Sequence, residues 1–307
     1  MLVWLPAVLK APLAFICFSL NLALWGALVT LTGIGKLLSP TAALRAWWSG
    51  PAHRFYRGWS RGNKLLMELF NPVQWQISGA EALDQHTWYL LIANHKSWMD
   101  IPVLSQFALD RIPEPKFFLK EELKWVPFIG SGSWALDMPF MKRYSQAQIK
   151  KNPALKGKDI ETTRLSCEKF KHQPTTIINF VEGTRFTPAK HKAKRSPFAH
   201  LLPPKAGGIA FTLAAMGSQF DAVLDVTLQY PDNPGHVMLD MLCGRLKRVV
   251  VQVQVLPVDE QIVGDYFNDE QFRVRFQNWL NQRWLEKDQR ISQYQHAAPT
   301  TEQNALC

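Results

Sequence analysis

Two short clusters hold most of the chemically capable side chains in this 307-residue sequence. The first is Asn94-His95-Lys96-Ser97-Trp98-Met99-Asp100 and the second is Phe180-Val181-Glu182-Gly183-Thr184-Arg185. A histidine followed five residues later by an acid can form a hydrogen-bonded pair, in which the carboxylate fixes the imidazole tautomer and stabilises the imidazolium left by proton abstraction. That is a general base with no obvious covalent nucleophile beside it. The alternative is a turn-capping His95 with Asp100 as a plain helix N-cap. In the second cluster Gly183 permits close backbone approach and Arg185 offers a forked donor suited to phosphate. Its alternative is a structural Glu/Arg pair closing a turn. Each motif alone is short enough to recur by chance; their joint occurrence is far rarer.

Both clusters need strands to carry them. Residues 88–92 form a continuous apolar run, and residues 175–181 form another that is rich in β-branched side chains. Such runs fit strands buried on both faces, and each ends where a cluster begins. In open α/β sheets ligands collect at the carboxyl ends of strands. Residues 222–228 and 249–255 read as further strands. Ile160, Thr163, Cys167 and Phe170 recur at helical spacing, as do Phe272, Phe276, Trp279 and Trp284. The expectation is an α/β domain over 70–290, with a mostly parallel central sheet flanked by helices. Residues 291–307 lack periodicity and read as a disordered tail.

Residues 1–69 have a different character. Residues 11–35 hold no charge, and as a helix would extend roughly 37 Å, enough for a hydrocarbon core of about 30 Å. Asn21, Pro12 and the glycines of this run leave open a helix that enters one leaflet only. A cleaved signal peptide fits less well, because the apolar run is long and basic residues follow it. Residues 42–59 interleave Trp47, Trp48, Phe55, Tyr56 and Trp59 with Arg45, Arg54 and Arg57, the pattern of an interfacial helix. The alternative is a helical hairpin buried in a soluble domain.

Formal net charge is +10, yet seven positive residues precede the first acid, Glu68, leaving only +3 for the rest. That placement favours a membrane-embedded segment with the following domain on the cytoplasmic face, here of a bacterial inner membrane. No RNP, KH or helix-turn-helix pattern accompanies the charge, so nucleic acid is not an expected partner. Mean hydropathy of −0.13 excludes a bundle of many membrane helices. Cys17, Cys167, Cys243 and Cys307 are scattered, and the eight histidines show no ligand spacing, so neither a disulfide framework nor a metal is expected. A basic loop (Lys190, His191, Lys192, Lys194, Arg195) follows the second cluster. It reads either as an attractor of anionic groups or as a solvated surface.

With these residues in view, the sequence resembles the glycerolipid acyltransferases, the PlsC-like family of 1-acyl-glycerol-3-phosphate acyltransferases. NHKSWMD is similar to the family's NHxxxxD motif and FVEGTRFT to its EGTR motif. MPFMKR, ending in Arg143, and LLPPKAGG followed by AVLDVTLQYPD resemble two further blocks. The match covers roughly residues 75–260 and looks nearest to the bacterial YihG-type branch and to lysocardiolipin-type relatives.

The resemblance implies acyl transfer from a thioester, on coenzyme A or acyl carrier protein, to a lysophospholipid hydroxyl without any cofactor. The first acceptor to expect is 1-acyl-glycerol-3-phosphate. His95 would be the base and Asp100 its orienting partner. Arg143 and Arg185 would hold the acceptor phosphate, Glu182 would bind acceptor hydroxyls or brace Arg185, and Gly183 and Thr184 complete the substrate turn. Lys120, at the end of an FFLK strand, would lie near the reacting carbonyl, and Asn94 would shape its turn. A membrane thioester hydrolase and a membrane-tethered nucleic-acid binder are the rival readings.

Overall fold

Two long helices open the chain as an antiparallel hairpin. α1 spans Ala7–Leu38 and α2 spans Ala42–Phe70, with the Thr41 hydroxyl accepting from the Leu44 N–H at 3.2 Å to cap the second. The computed structural model describes residues 2, 4–141 and 173–297. The polar break at Asn21 has a partner: its amide donates to Asn63 Oδ1 at 3.0 Å and to the Trp59 carbonyl at 3.2 Å, both on α2. α2 also enters the main core, where Met67 and Phe70 are fully buried, and Tyr56 donates to Ser105 Oγ at 2.8 Å.

The body is a six-stranded sheet in the order β1-β8-β7-β2-β6-β3. The strands are β1 (Gln74–Ser78), β2 (Tyr89–Ala93), β3 (Pro115–Phe117), β6 (Thr176–Phe180), β7 (Ala222–Gln229) and β8 (Arg248–Pro257). A small second sheet pairs β4 (Leu119–Lys120) with β5 (Phe140–Met141). β2, β3, β6 and β7 run parallel, β8 joins β7 antiparallel, and β1 runs parallel to β8. The expected mostly parallel α/β sheet is therefore present, with a reversed pair of strands at one edge.

Helices cover both faces. α3 (Asp100–Ala108) and α7 (Val237–Leu242) join α2 on one face, contributing Val103, Leu104, Phe107, Val237 and Met241 to its core. α6 (Ala206–Met216) and α8 (Glu270–Ala297) cover the other with Ile209, Leu213, Phe276 and Trp284. β2 lies at the centre with all five residues buried, as its uninterrupted apolar run requires. The register sets Ala93 level with Phe180 and with Val226, so the carboxyl ends of β2, β6 and β7 open on the same edge.

Two expectations change. The FFLK segment is two strands in separate sheets rather than one, because the chain leaves the main sheet at Phe118. The boundary at residue 290 falls inside α8, which continues to Ala297; Ile291 is buried and the Tyr294 hydroxyl bonds Gln76, so residues 291–297 are not a disordered tail. Residues 298–307 lie outside the described residues, as do Arg143 and the helical set Ile160, Thr163, Cys167 and Phe170.

α1 is long and apolar enough to cross a membrane. It nevertheless touches the rest of the protein along its whole length. Lys10 packs against Gly244 near its start, and Phe18 packs on the main core. Further along, Thr30 donates to Ser131 Oγ at 2.8 Å on α4 (Ile129–Ala135). At the far end the Lys36 amine meets the Ala135 carbonyl and the Asp137 carboxylate at 3.0 and 2.9 Å. Its opposite side, with Val8, Phe15, Leu20, Leu24, Leu31 and Leu37, is exposed.

Candidate active site

β2 ends at Ala93 and α3 begins at Asp100, so the NHKSWMD segment is the turn between them. Asp100 sits on the first helical turn, where a carboxylate is favoured by the unpaired N–H groups and the helix dipole. Its Oδ2 accepts from the backbone N–H of Lys96 at 2.7 Å and of Ser97 at 2.9 Å. The same oxygen lies 2.8 Å from His95 Nδ1. Asp100 is fully buried, whereas the His95 side chain keeps 13% of its surface exposed. A carboxylate that accepts from Nδ1–H leaves Nε2 as the basic nitrogen, the tautomer a general base needs. The imidazole stacks on Phe180 with ring centroids 4.0 Å apart, which fixes its plane.

The other oxygen of Asp100 has a partner that the motif does not contain. The Tyr230 hydroxyl donates to Oδ1 at 2.7 Å, from a side chain that is itself buried. Tyr230 follows the last residue of β7 and lies 130 positions away in sequence. No local spacing signals such a contact; only the strand register brings it near.

Asn94 joins the turn to β7. Its side-chain amide donates to the Leu228 carbonyl at 3.0 Å and accepts from the Leu228 N–H at 2.8 Å, extending the β2–β7 pairing beyond the strand.

At the end of β6, Gly183 adopts a φ of +66°, a left-handed conformation in which a side chain is strained. Glu182 is fully buried and makes its hydrogen bonds to backbone: Oε1 accepts from His95 N–H at 3.0 Å and Oε2 from Leu202 N–H at 3.1 Å. It thus ties the NHKSWMD turn to the EGTR turn, and it also lines the second depression beside His95. Burial pushes its carboxyl up to about 7, against the opposing pull of those two N–H donors.

Arg185 stacks its guanidinium over Trp98, 4.4 Å from the ring centroid. Lys190, from the basic loop, turns inward on α5 (Pro188–Ala193), donating to Thr184 Oγ1 at 2.8 Å and to the Arg185 carbonyl at 3.1 Å. Thr184 is therefore engaged in holding its own loop.

Two depressions meet at His95. One is lined by His95, Trp98, Phe117, Lys120, Leu123, Phe180, Gly183 and Arg185, an apolar trough with two cationic side chains. The other carries Lys96, Phe186, His200, Gln229, Tyr230 and Gln295. Burial lowers the affinity of the Lys96 amine for its proton, partly offset by Asp100.

Comparison with known proteins decides the family. A family model described as Acyltransferase matches residues 74–230, just over half of the chain, and contains both strand-end clusters. The chain belongs to this acyltransferase family. Among curated acyltransferases, lysocardiolipin acyltransferase 1 of Gallus gallus is 24% identical, over 81% of this chain and 65% of its own length. The 1-acyl-sn-glycerol-3-phosphate acyltransferase delta of Homo sapiens is 27% identical, over 65% of this chain and 51% of its own length. The chain thus spans half to two thirds of these relatives. The crystal structure of the 1-acyl-sn-glycerophosphate acyltransferase PlsC from Thermotoga maritima superposes with a TM-score of 0.57. That alignment covers 93% of this chain and 95% of the other at 17% identity, so the acyltransferase fold is shared.

Proposed function

We propose that the protein moves a fatty acyl group from an acyl thioester, on coenzyme A or acyl carrier protein, to the free glycerol hydroxyl of a lysophospholipid. The observation that carries this reading is the buried His95–Asp100 pair at the mouth of a trough holding Arg185 and Lys120. His95 Nε2 takes the hydroxyl proton as the acceptor oxygen bonds to the thioester carbonyl carbon. The tetrahedral adduct then collapses, the carbon–sulfur bond breaks, and the imidazolium returns its proton to the leaving thiolate. No covalent enzyme intermediate is needed.

Arg185 and Lys120 give the trough two positive charges for a phosphate that carries about −1.5 to −2 near neutral pH. Leu119, Leu123, Phe117 and Ile178 offer apolar surface for the chain attached to it. Both features favour a phosphorylated lysolipid over water as acceptor. The first acceptor in this proposal is 1-acyl-glycerol-3-phosphate, giving phosphatidic acid. The likeness to a lysocardiolipin acyltransferase supports a second candidate, a lysophosphatidylglycerol or lysocardiolipin headgroup. Purified protein supplied with a panel of lysolipids and with acyl-CoA or acyl-ACP, scored for new diacyl products, tests this. Diacyl product from one phosphate-bearing acceptor is expected; free fatty acid alone would make the protein a hydrolase.

The proposal extends to the membrane, with the catalytic domain on the cytoplasmic face of a bacterial inner membrane. Support for burial in one leaflet comes from α1, whose two ends both rest on the rest of the protein. A helix standing across a bilayer of about 30 Å would carry one end away from a domain confined to one side. Lying along the membrane, its exposed Leu20, Leu24 and Leu31 meet acyl chains, and Trp125, which is 87% exposed and two residues beyond the trough residue Leu123, offers a further apolar contact.

A further inference from the structure

We infer that Tyr230 is a positioning residue for the base, setting how strongly Asp100 holds the His95 imidazole. Asp100 divides its hydrogen bonds unevenly. Oδ2 faces His95 Nδ1 and the Lys96 and Ser97 N–H groups, while Oδ1 accepts from the Tyr230 hydroxyl at 2.7 Å. Both side chains are essentially out of solvent, with Asp100 at 0% and Tyr230 at 1% exposure, so water does not take over that bond freely.

Two consequences follow from this arrangement. The hydroxyl pins the second oxygen and therefore the rotation of the carboxylate about its Cβ–Cγ bond. It also draws charge toward Oδ1, away from the oxygen that stabilises the imidazolium. Tyr230 is held in turn by its place after β7, which the Asn94–Leu228 amide pair clamps to the catalytic turn. The same strand end thus fixes the base from two directions. Other charged groups around the pair are Lys96 on the turn, Glu182 after β6, Arg185 and Lys120 in the trough, and His200 across the second depression. All are retained in a Tyr230→Phe variant, so a change in titration there reports the hydroxyl alone.

Tyr230→Phe is expected to lower kcat roughly ten-fold, as for loss of a buried bond to a charged group, with the KM of donor and acceptor within about two-fold. The acidic limb of the kcat–pH profile moves to higher pH, because the carboxylate freed of its donor holds the imidazolium more tightly. 3-Fluorotyrosine at position 230 keeps the shape and is a stronger donor, so it moves the limb to lower pH. A merely structural tyrosine would lower the thermal midpoint in the phenylalanine variant and move neither limb.

The kinetic arm rests on the acyl-transfer reading. A second arm does not: the pH midpoint of the His95 ring ¹⁵N signals in the full chain, assigned by comparison with His95→Gln. Wild type without transferase activity would end the functional reading while leaving this titration measurable. Opposite shifts for phenylalanine and 3-fluorotyrosine establish the role of Tyr230. Coincident His95 titrations in wild type and the 3-fluorotyrosine protein overturn it, including where Tyr230→Phe fails to fold.

Discussion

His95 is the residue of its turn paired with a buried carboxylate, and in the proposed reaction its removal should be decisive. His95→Ala is expected to lower transfer by about 10²–10⁴-fold or more while leaving folding and membrane binding intact. Asp100→Asn should be nearly as severe, since its amide nitrogen can no longer accept the bonds made by the imidazole and two backbone N–H groups. Circular dichroism and initial rates together check both. Arg185→Ala should raise the acceptor KM by about 10- to 150-fold, the worth of a charged hydrogen-bonded contact, with donor KM nearly fixed. A rise in donor KM alone would remove Arg185 from the phosphate.

Glu182 supplies a pH prediction. Its carboxyl titrates near 7 in the folded chain and near 4.5 unfolded, so between those values the native state keeps a proton that the unfolded chain releases. Stability therefore falls as pH rises through about 4.5 to 7, by on the order of 3 kcal/mol from this group. Denaturant unfolding of wild type and Glu182→Gln at several pH values checks it; a slope in that window unaffected by the substitution contradicts it. At this scale the sequence made His95–Asp100 legible, because both partners lie within one turn. It did not show the bonds of Glu182 to backbone N–H groups, which no motif reveals, and it was silent on the Asp100–Tyr230 bond.

At the scale of elements, legibility followed burial. β2, β6 and β7 stood out because strands covered on both faces need largely apolar runs, and β8 because its Val/Gln alternation marks a half-buried strand. β1 carries the edge sequence Gln74-Trp75-Gln76-Ile77-Ser78 with alternating exposure, too short and polar to announce itself. The reversal of β8 against β7 left no mark in composition either. The continuation of α8 past residue 290 depends on tertiary partners for Ile291 and Tyr294 that no local pattern shows. The two opening helices carry a prediction of their own. Glutamate at Leu20, Leu24 and Leu31 should leave the fold intact, because these side chains are exposed, yet release the protein from vesicles in a flotation assay. Retention of the triple variant on vesicles would show that this face does not meet lipid. Gly33→Leu acts differently, since even a Cβ there would come within 2.6 Å of Ala135 and Trp134. Overpacking of about 1–3 kcal/mol should lower the thermal midpoint.

Across the whole molecule, the basic opening segment is less available than its sequence implies. Lys36 pairs with Asp137, Arg57 with Glu114, Arg61 with Asp110 and Lys64 with Glu68, so much of that charge is spent within the protein. Membrane binding should accordingly rest on apolar contact and persist when salt is raised to shorten the Debye length from about 8 to 3 Å. Release from anionic vesicles by salt alone would restore the electrostatic reading. The first three of these pairs also join α1 and α2 to the folded body, so the two helices are not a detachable anchor. Removing residues 1–65 takes away Tyr56 and Ala52 from the core as well as the long apolar helix α1, so the remaining chain should aggregate.

The central claim is that His95, acting as general base, promotes direct acyl transfer from a thioester to a lysolipid hydroxyl at a site delivered to the membrane. A single-turnover reaction with isotopically labelled acyl thioester and lysophosphatidic acid in vesicles, run on wild type and His95→Ala, measures it most directly. The account predicts label passing into phosphatidic acid with wild type, no acylated protein at any time point, and no diacyl product with the variant. Labelled free fatty acid in place of diacyl lipid, or unimpaired transfer by His95→Ala, would contradict it.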